Sequence, residues 1–230
     1  MGKQRWVRGA VLALALLLLA GCAPSTQPPQ TALQTAAPTA TPEREAVLTV
    51  CLGDEPDSLD PQLAGETGER ALARLLYEGL TRPDNSGGWT MGAAESYVLS
   101  ENGKTCTLTL RKDALWSDGV PVQAEDFVRA MERLLTPESE SPYVMDVAMW
   151  VEGGEARVYG DDQAELGVRA LDERTLEIRL VARCPYLEAF LALPVFAPLR
   201  DEEGTWTNGA FRVEAEEEDC LVLRRSETYW

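Results

Sequence analysis

Apolar positions recur along the chain with three different periods, and each period predicts a different kind of element. Near the start, Gly9 to Ala20 is an almost unbroken apolar run, too short to span a membrane as a helix. "AVLTVCL" (Ala46 to Leu52) is short and rich in β-branched residues, the pattern of a buried strand, and it gives way to the polar turn "GDEPDSLDP". From Glu66 the period becomes helical. "ETGERALARLLYEGL" places Leu72, Leu75, Leu76 and Gly79 on one face, with Glu66 and Glu69 near the positive end of the helix dipole. Beyond the break "RPDNSGG" the pattern alternates. "ESYVLS" and "KTCTLTLR" flank "ENG", which predicts a hairpin turning at Asn102-Gly103, with Cys106, Leu108 and Leu110 inward and Thr105, Thr107 and Thr109 toward solvent.

The following segment, "WSDGVPVQAEDF", holds a tight turn at Asp118-Gly119 and the acids Glu125 and Asp126 that open a helix. In that helix Phe127, Val128, Met131, Leu134 and Leu135 recur at core spacing until Thr136-Pro137 stops it. "GVRALDERTLEIRLV" predicts a second hairpin, a short helix follows in "CPYLEAFLAL", and "PVFAPL" reads as extended. "TNGAFRVEAEEEDCLVLRR" predicts two more strands joined by an acidic turn. Strands outnumber helices and alternate irregularly with them, so the fold class is mixed α/β or α+β, not a bundle. No internal repeat is visible.

The first residues determine location. Lys3, Arg5 and Arg8 precede the apolar run, and "LAGC" (Leu19 to Cys22) ends it, the order of a secretory signal. Small residues before a cysteine match the bacterial lipobox, where cleavage precedes the Cys and its thiol and new amino group are acylated. Residues 1–22 are therefore expected to be a lipoprotein signal ending at Cys22. Residues 23–45, rich in Pro, Thr, Ala and Gln, lack the apolar surface to fold and form a tether. The expected location is extracytoplasmic, on the outer face of a membrane or in a periplasm, with the lipid bilayer as a partner through acylated Cys22.

Composition removes several function classes. The 230 residues are 45 % hydrophobic, enough for a sizeable core in one large or two small domains. The net charge of −17 repels a phosphate backbone, so nucleic acid is not expected as a partner; without Lys3, Arg5 and Arg8 the remainder stands at −20. The absence of His excludes Ser-His-Asp and Cys-His nucleophiles. The acid runs "DEPDSLD" and "AEEEDC" lie in turn-like stretches with no aromatic cluster to stack on sugar, which weakens an acid-pair hydrolase. Asp54, Asp57 and Asp60 are spaced by three, unlike an EF-hand loop, and there is no Gly-rich phosphate loop with its Lys. Cys51, Cys106, Cys184 and Cys220 fit no zinc spacing. Buried free thiols are expected, with no disulfide assigned. No catalytic residue, metal or cofactor is thus expected: the chain reads as a tethered binding module and not as an enzyme.

An ordered string of motifs adds to this picture: "EPDSLDP", "LLYEGL", "AAESYVLSENGKTCTLTLRKDALWSDGVPVQAEDFVRAMERLL", "SPY", "GVRALDERTLEIRL", "PYLEAFLALPVFAP", "TNGAFRV" and "LRRSETYW". Over nearly all of Ala46 to Trp230 it resembles the peptide-binding proteins of ABC transporters, the extracellular solute-binding family of oligopeptide and dipeptide importers. The resemblance implies a periplasmic-binding-protein-like two-lobed clamp. Residues 46–83 and 194–230 would belong to the first lobe and 84–193 to an inserted α+β subdomain, with the opposite lobe absent. Family members continue past the "YW" motif, so the resemblance also implies that Tyr229 and Trp230 are interior residues of a longer chain and that the sequence is truncated.

It further implies capture of extracellular oligopeptides or dipeptides for delivery to membrane permease subunits. The peptide would lie extended between lobes, paired like an added strand, and closure would present a shape the permease recognises. By alignment the ligand-binding residues would be Gly65, Glu66 and Thr67 in the loop after "SLDP", Tyr143 of "SPY", and Asn208 and Gly209 of "TNG". Each has a structural alternative: Glu66 as a helix-start carboxylate, Tyr143 as a half-buried loop aromatic, Asn208-Gly209 as a turn. Trp116 is expected to anchor the "WSDG" turn. A half-cleft alone would bind peptide weakly. Alternatives at this point are a surface peptide-sensing or adhesion lipoprotein, or a non-functional fragment. The ligand class stays open among dipeptides, longer peptides, nickel complexes, haem and sugars.

Overall fold

The computed structural model describes residues 56–200, 205–217 and 220–230. The signal, the tether, Cys22, Cys51 and the strand expected at Ala46 to Leu52 lie outside the described residues. All described residues belong to one unit, Val50–Trp230.

The chain enters along a polar loop and forms helix α1 (Thr67–Leu76). Glu66 is its N-cap, and Glu66 and Glu69 exchange side-chain-to-backbone hydrogen bonds in a capping box, which explains why two acids open this helix. The buried stripe is Glu69, Leu72, Ala73 and Leu76. Leu75, expected inward, is 38 % exposed because it falls to the side of that stripe, and Gly79 lies beyond the helix end.

Short strands β1 (Thr81–Pro83) and β2 (Trp89–Met91) pair antiparallel before the main sheet begins. That sheet holds β3 (Ala94–Leu99), β4 (Thr105–Leu110), β5 (Val168–Asp172) and β6 (Thr175–Arg179) in the antiparallel order β3-β4-β6-β5. The β3–β4 hairpin turns at Asn102-Gly103 as its pattern predicts: Gly103 has φ +69, and Asn102 accepts the Lys104 amide at 3.0 Å. Cys106, Leu108 and Leu110 point into the core, but the threonine face of β4 is half-buried because β4 is an inner strand with neighbours on both sides.

Helix α2 (Ala124–Leu134) lies against β5 and β6 and buries Phe127, Val128, Met131 and Leu134, with Leu135 at its C-cap. Its start is fixed by one carboxylate. Asp126 accepts the Gln123 amide at 2.9 Å, the indole N–H of fully buried Trp116 at 3.0 Å and the Arg129 guanidinium at 3.0 Å. Trp116 is thus bound to the helix as well as to its own turn, where its N–H reaches the Val120 carbonyl. Short helices α3 (Val144–Ala148) and α4 (Gly154–Val158) pack on each other, and α5 (Leu187–Leu191) packs on β1 and β2.

"PVFAPL", expected to be extended, instead begins as a 3-10 turn over Pro194–Phe196. Pro194 at its first position has φ already set for a helical turn, and Phe196 meets Phe190 edge to face at 4.6 Å. Strands β7 (Phe211–Glu217) and β8 (Cys220–Arg225) pair antiparallel, and among the described residues they form a ribbon of their own. Cys106 and Cys184 are buried free thiols as expected, whereas Cys220 is exposed. It sits on the rung next to residues 218 and 219 that join the two strands, opposite Glu217, and among the described residues no third strand pairs with this ribbon. Among the described residues no helix is long and apolar enough to cross a membrane.

Candidate functional site

Two segments far apart in sequence meet in front of α1. The loop before the helix is held by a chain of polar contacts that no apolar pattern signals. Gln62 is buried and donates to the Ala130 carbonyl of α2 at 2.6 Å, while its side-chain oxygen accepts from Arg133 at 2.8 Å. Arg133 also pairs with Asp60 at 2.7 Å. The Gln62 carbonyl accepts the buried Ser141 hydroxyl at 2.6 Å, and that hydroxyl accepts the Tyr143 amide at 3.2 Å. Residues 57–66 are thereby fastened both to α2 and to the turn that carries Tyr143.

Tyr143 completes the junction. Its hydroxyl donates to the Ala64 carbonyl at 3.0 Å and lies 3.5 Å from the Arg70 guanidinium. Arg70 also donates to the Gly65 carbonyl and, at 3.1 Å, to the Thr67 hydroxyl. Four of the residues expected to meet a ligand, Gly65, Glu66, Thr67 and Tyr143, are therefore neighbours. Glu66 and Thr67 are exposed, Gly65 and Tyr143 half-buried. The Glu66 carboxylate caps the Glu69 amide while its own amide donates to Glu69 at 2.9 Å. That amide, more than any other contact, holds the Glu69 carboxyl below the usual range. Asp57 adds a further backbone donor to Glu69 at 3.1 Å.

Asn208 and Gly209 lie at the other end of α1. Asn208 is 1 % exposed, and its amide is committed to one residue: Oδ1 accepts the Glu78 N–H at 3.1 Å and Nδ2 donates to the Glu78 carbonyl at 2.9 Å. Gly209 donates to the Leu76 carbonyl at 2.9 Å, and a Cβ on it would stand 2.5 Å from the Leu76 carbonyl carbon. The pair therefore closes the C-terminal end of α1, some 15 Å along a ten-residue helix from Thr67.

Arg70 is the residue that motif reasoning missed. Its only signal was position, one turn after Thr67 on the same helix face. Other features are occupied by the fold itself. A cleft of about 250 Å³ is lined by Trp116, Asp126, Arg129 and Arg200. Arg200 there lies 4.7 Å from the Trp206 ring and pairs with Asp118 at 2.8 Å. Tyr229 donates to the Glu78 carboxylate at 2.5 Å and stacks on Trp230 at 4.5 Å, with Arg111 over the indole at 5.1 Å. Burial raises the Glu78 carboxyl above the ordinary carboxylate range. Among the described residues no cluster of acids and cysteines could hold a metal ion.

Comparison with known proteins gives a consistent picture. Residues 89–230 match the model for "Bacterial extracellular solute-binding proteins, family 5 Middle". The periplasmic oligopeptide-binding protein OppA of Escherichia coli (strain K12) is 36 % identical over 199 residues, covering 77 % of this chain and 35 % of the relative. The dipeptide-binding protein DppE of Bacillus subtilis (strain 168) is 31 % identical over 242 residues, covering 99 % of this chain and 44 % of the relative. Among solved structures, OppA of Haemophilus influenzae in complex with RPPGFSPFR superposes with a TM-score of 0.71 at 33 % identity, covering 78 % of this chain and 38 % of that one. The chain spans less than half the length of these relatives.

Proposed function

This chain belongs to the bacterial extracellular solute-binding proteins of family 5, and on that premise we propose that it captures oligopeptides or dipeptides outside the cytoplasmic membrane for an ABC importer. In this reading Gly65, Glu66, Thr67 and Tyr143 meet the ligand. The observation that carries it is their convergence: residues nearly eighty positions apart are held together by the Tyr143–Ala64 and Arg70–Tyr143 contacts while Glu66 and Thr67 stay exposed. The arrangement suits an extended peptide, since loop peptide groups can pair with a ligand backbone and Glu66 can face a ligand amine. Asn208 and Gly209 would act behind this surface by fixing the far end of α1. The first-lobe and subdomain division at 84 and 193 is part of the same proposal, as are anchoring through acylated Cys22 and hand-over to a permease.

The test is calorimetric titration of the mature protein, purified as its cells make it, with defined dipeptides to pentapeptides. Saturable binding weakened by Tyr143→Phe supports the reading. Absence of saturable heat with every peptide overturns it and moves a sensing or adhesion role ahead of transport.

A further inference from the structure

Within the proposed peptide site the described residues leave the Arg70 cation without an acid. The Arg70 guanidinium touches three neutral acceptors, the Gly65 carbonyl, the Thr67 hydroxyl and the Tyr143 hydroxyl. Among the described residues no carboxylate pairs with it. This is notable in a chain of net charge −17, and the nearby acids show that it is not for want of candidates. The Glu66 and Glu69 carboxylates face backbone amides of the capping box, and Asp60 is held by Arg133. These three acids are engaged by other partners, and among the described residues a half-buried cation stays unneutralised beside the exposed Glu66 and Thr67. A partly desolvated charge in that position gains from a counter-charge supplied from outside.

The donors that remain have the right form. Both hydrogens of Nη1 and one of Nη2 are engaged, which leaves the Nε–H and the second Nη2–H. Two donors on a planar, permanently charged group suit a carboxylate better than any neutral acceptor. We infer that Arg70 is a specificity-determining residue that binds a carboxylate of the ligand, either the C-terminal carboxylate of a peptide or an acidic side chain. The inference rests on the proposed peptide site.

The experiment is titration of the mature protein with tri-alanine, tri-alanine amide and the amide of Ala-Glu-Ala. The wild-type protein should bind one of the carboxylate-bearing peptides about ten- to hundredfold more tightly than tri-alanine amide. Tri-alanine as the favoured ligand identifies the terminal carboxylate, and the Ala-Glu-Ala amide identifies the side chain. Arg70→Met should abolish that preference, so that all three peptides bind with the same affinity whatever its absolute value. Arg70→Lys should keep part of it, because the charge stays and the fork is lost. Equal weakening of all three peptides by Arg70→Met would show that Arg70 only positions the loop, and overturns the inference. So does a wild-type protein that binds the three equally, a result that needs no variant to fold. Binding of none of them overturns the peptide reading together with the inference.

Discussion

Asn208 offers the sharpest separation between anchoring and ligand contact. Asn208→Ala removes the acceptor of the Glu78 N–H and the donor to the Glu78 carbonyl, at a residue 1 % exposed facing one 8 % exposed. Among the described residues neither peptide group has another hydrogen-bond partner, and water has little access. Each buried peptide group left unpaired costs about 1–3 kcal/mol, so the loss of two should be about 2–6 kcal/mol. For a domain of this size that corresponds to roughly 5–15 °C in Tm. Asn208→Asp should fare no better, because it keeps the acceptor, loses the donor and buries a charge. Urea unfolding is the assay, and the expected signature is a lower midpoint at unchanged slope. A loss below about 0.5 kcal/mol, the range of an ordinary surface change, would refute the anchoring argument. If peptide affinity fell while stability held, Asn208 would instead have to be placed at the ligand.

Other outcomes follow from the same geometry. Tyr143→Phe removes the bond to the Ala64 carbonyl and should cost about 1 kcal/mol in urea unfolding, with weaker peptide binding by calorimetry. Tyr77 and Tyr229 are both pushed up to about 12, mainly by burial. The fold favours their protonated forms, so the stability they contribute is complete below their ordinary value near 10 and is lost as pH rises toward 12. Ultraviolet difference absorbance should show their phenolates forming late and together with unfolding; all six tyrosines titrating near pH 10 would contradict this. Burial also drives the Cys106 thiol up to about 12, so alkylation mapped by mass spectrometry should reach exposed Cys220 well before Cys106. The protein purified from its cells should carry acyl chains on Cys22 in the mass spectrum of its N-terminal peptide, and an N-terminal peptide that contains unmodified Cys22 would exclude the lipid anchor.

Much of the fold is legible because its signals are local. The alternation in "TCTLTL" is a direct record of β4 facing one core layer, and the spacing of Phe127, Val128, Met131 and Leu134 records which side of α2 meets that sheet. The misjudged positions depend on partners distant in sequence. Leu75 has the same chemistry as Leu76, and only the placement of α1 decides that one is exposed and the other buried. Cys220 sits in an apolar run like that of Cys106, yet among the described residues β8 has a single neighbouring strand and β4 has two. No window of the sequence carries that difference.

The site shows a second limit. Tyr143 and Asn208 look alike in sequence, each a polar residue beside a turn and each nominated through a motif. What separates them is how far their polar atoms are already satisfied. Both ends of the Asn208 amide are spent on the Glu78 backbone in a buried place, so a ligand would have to break two hydrogen bonds to use it. Tyr143 spends one donor on Ala64, stays half-exposed and keeps acceptor capacity. Arg70, which no motif named, retains two donors and a charge that no described carboxylate neutralises. Unspent hydrogen-bonding capacity at an exposed junction is a tertiary property. It therefore ranks Arg70 and Tyr143 ahead of Asn208 as ligand contacts, where the order of motifs alone would have ranked Tyr143 and Asn208 together and passed over Arg70.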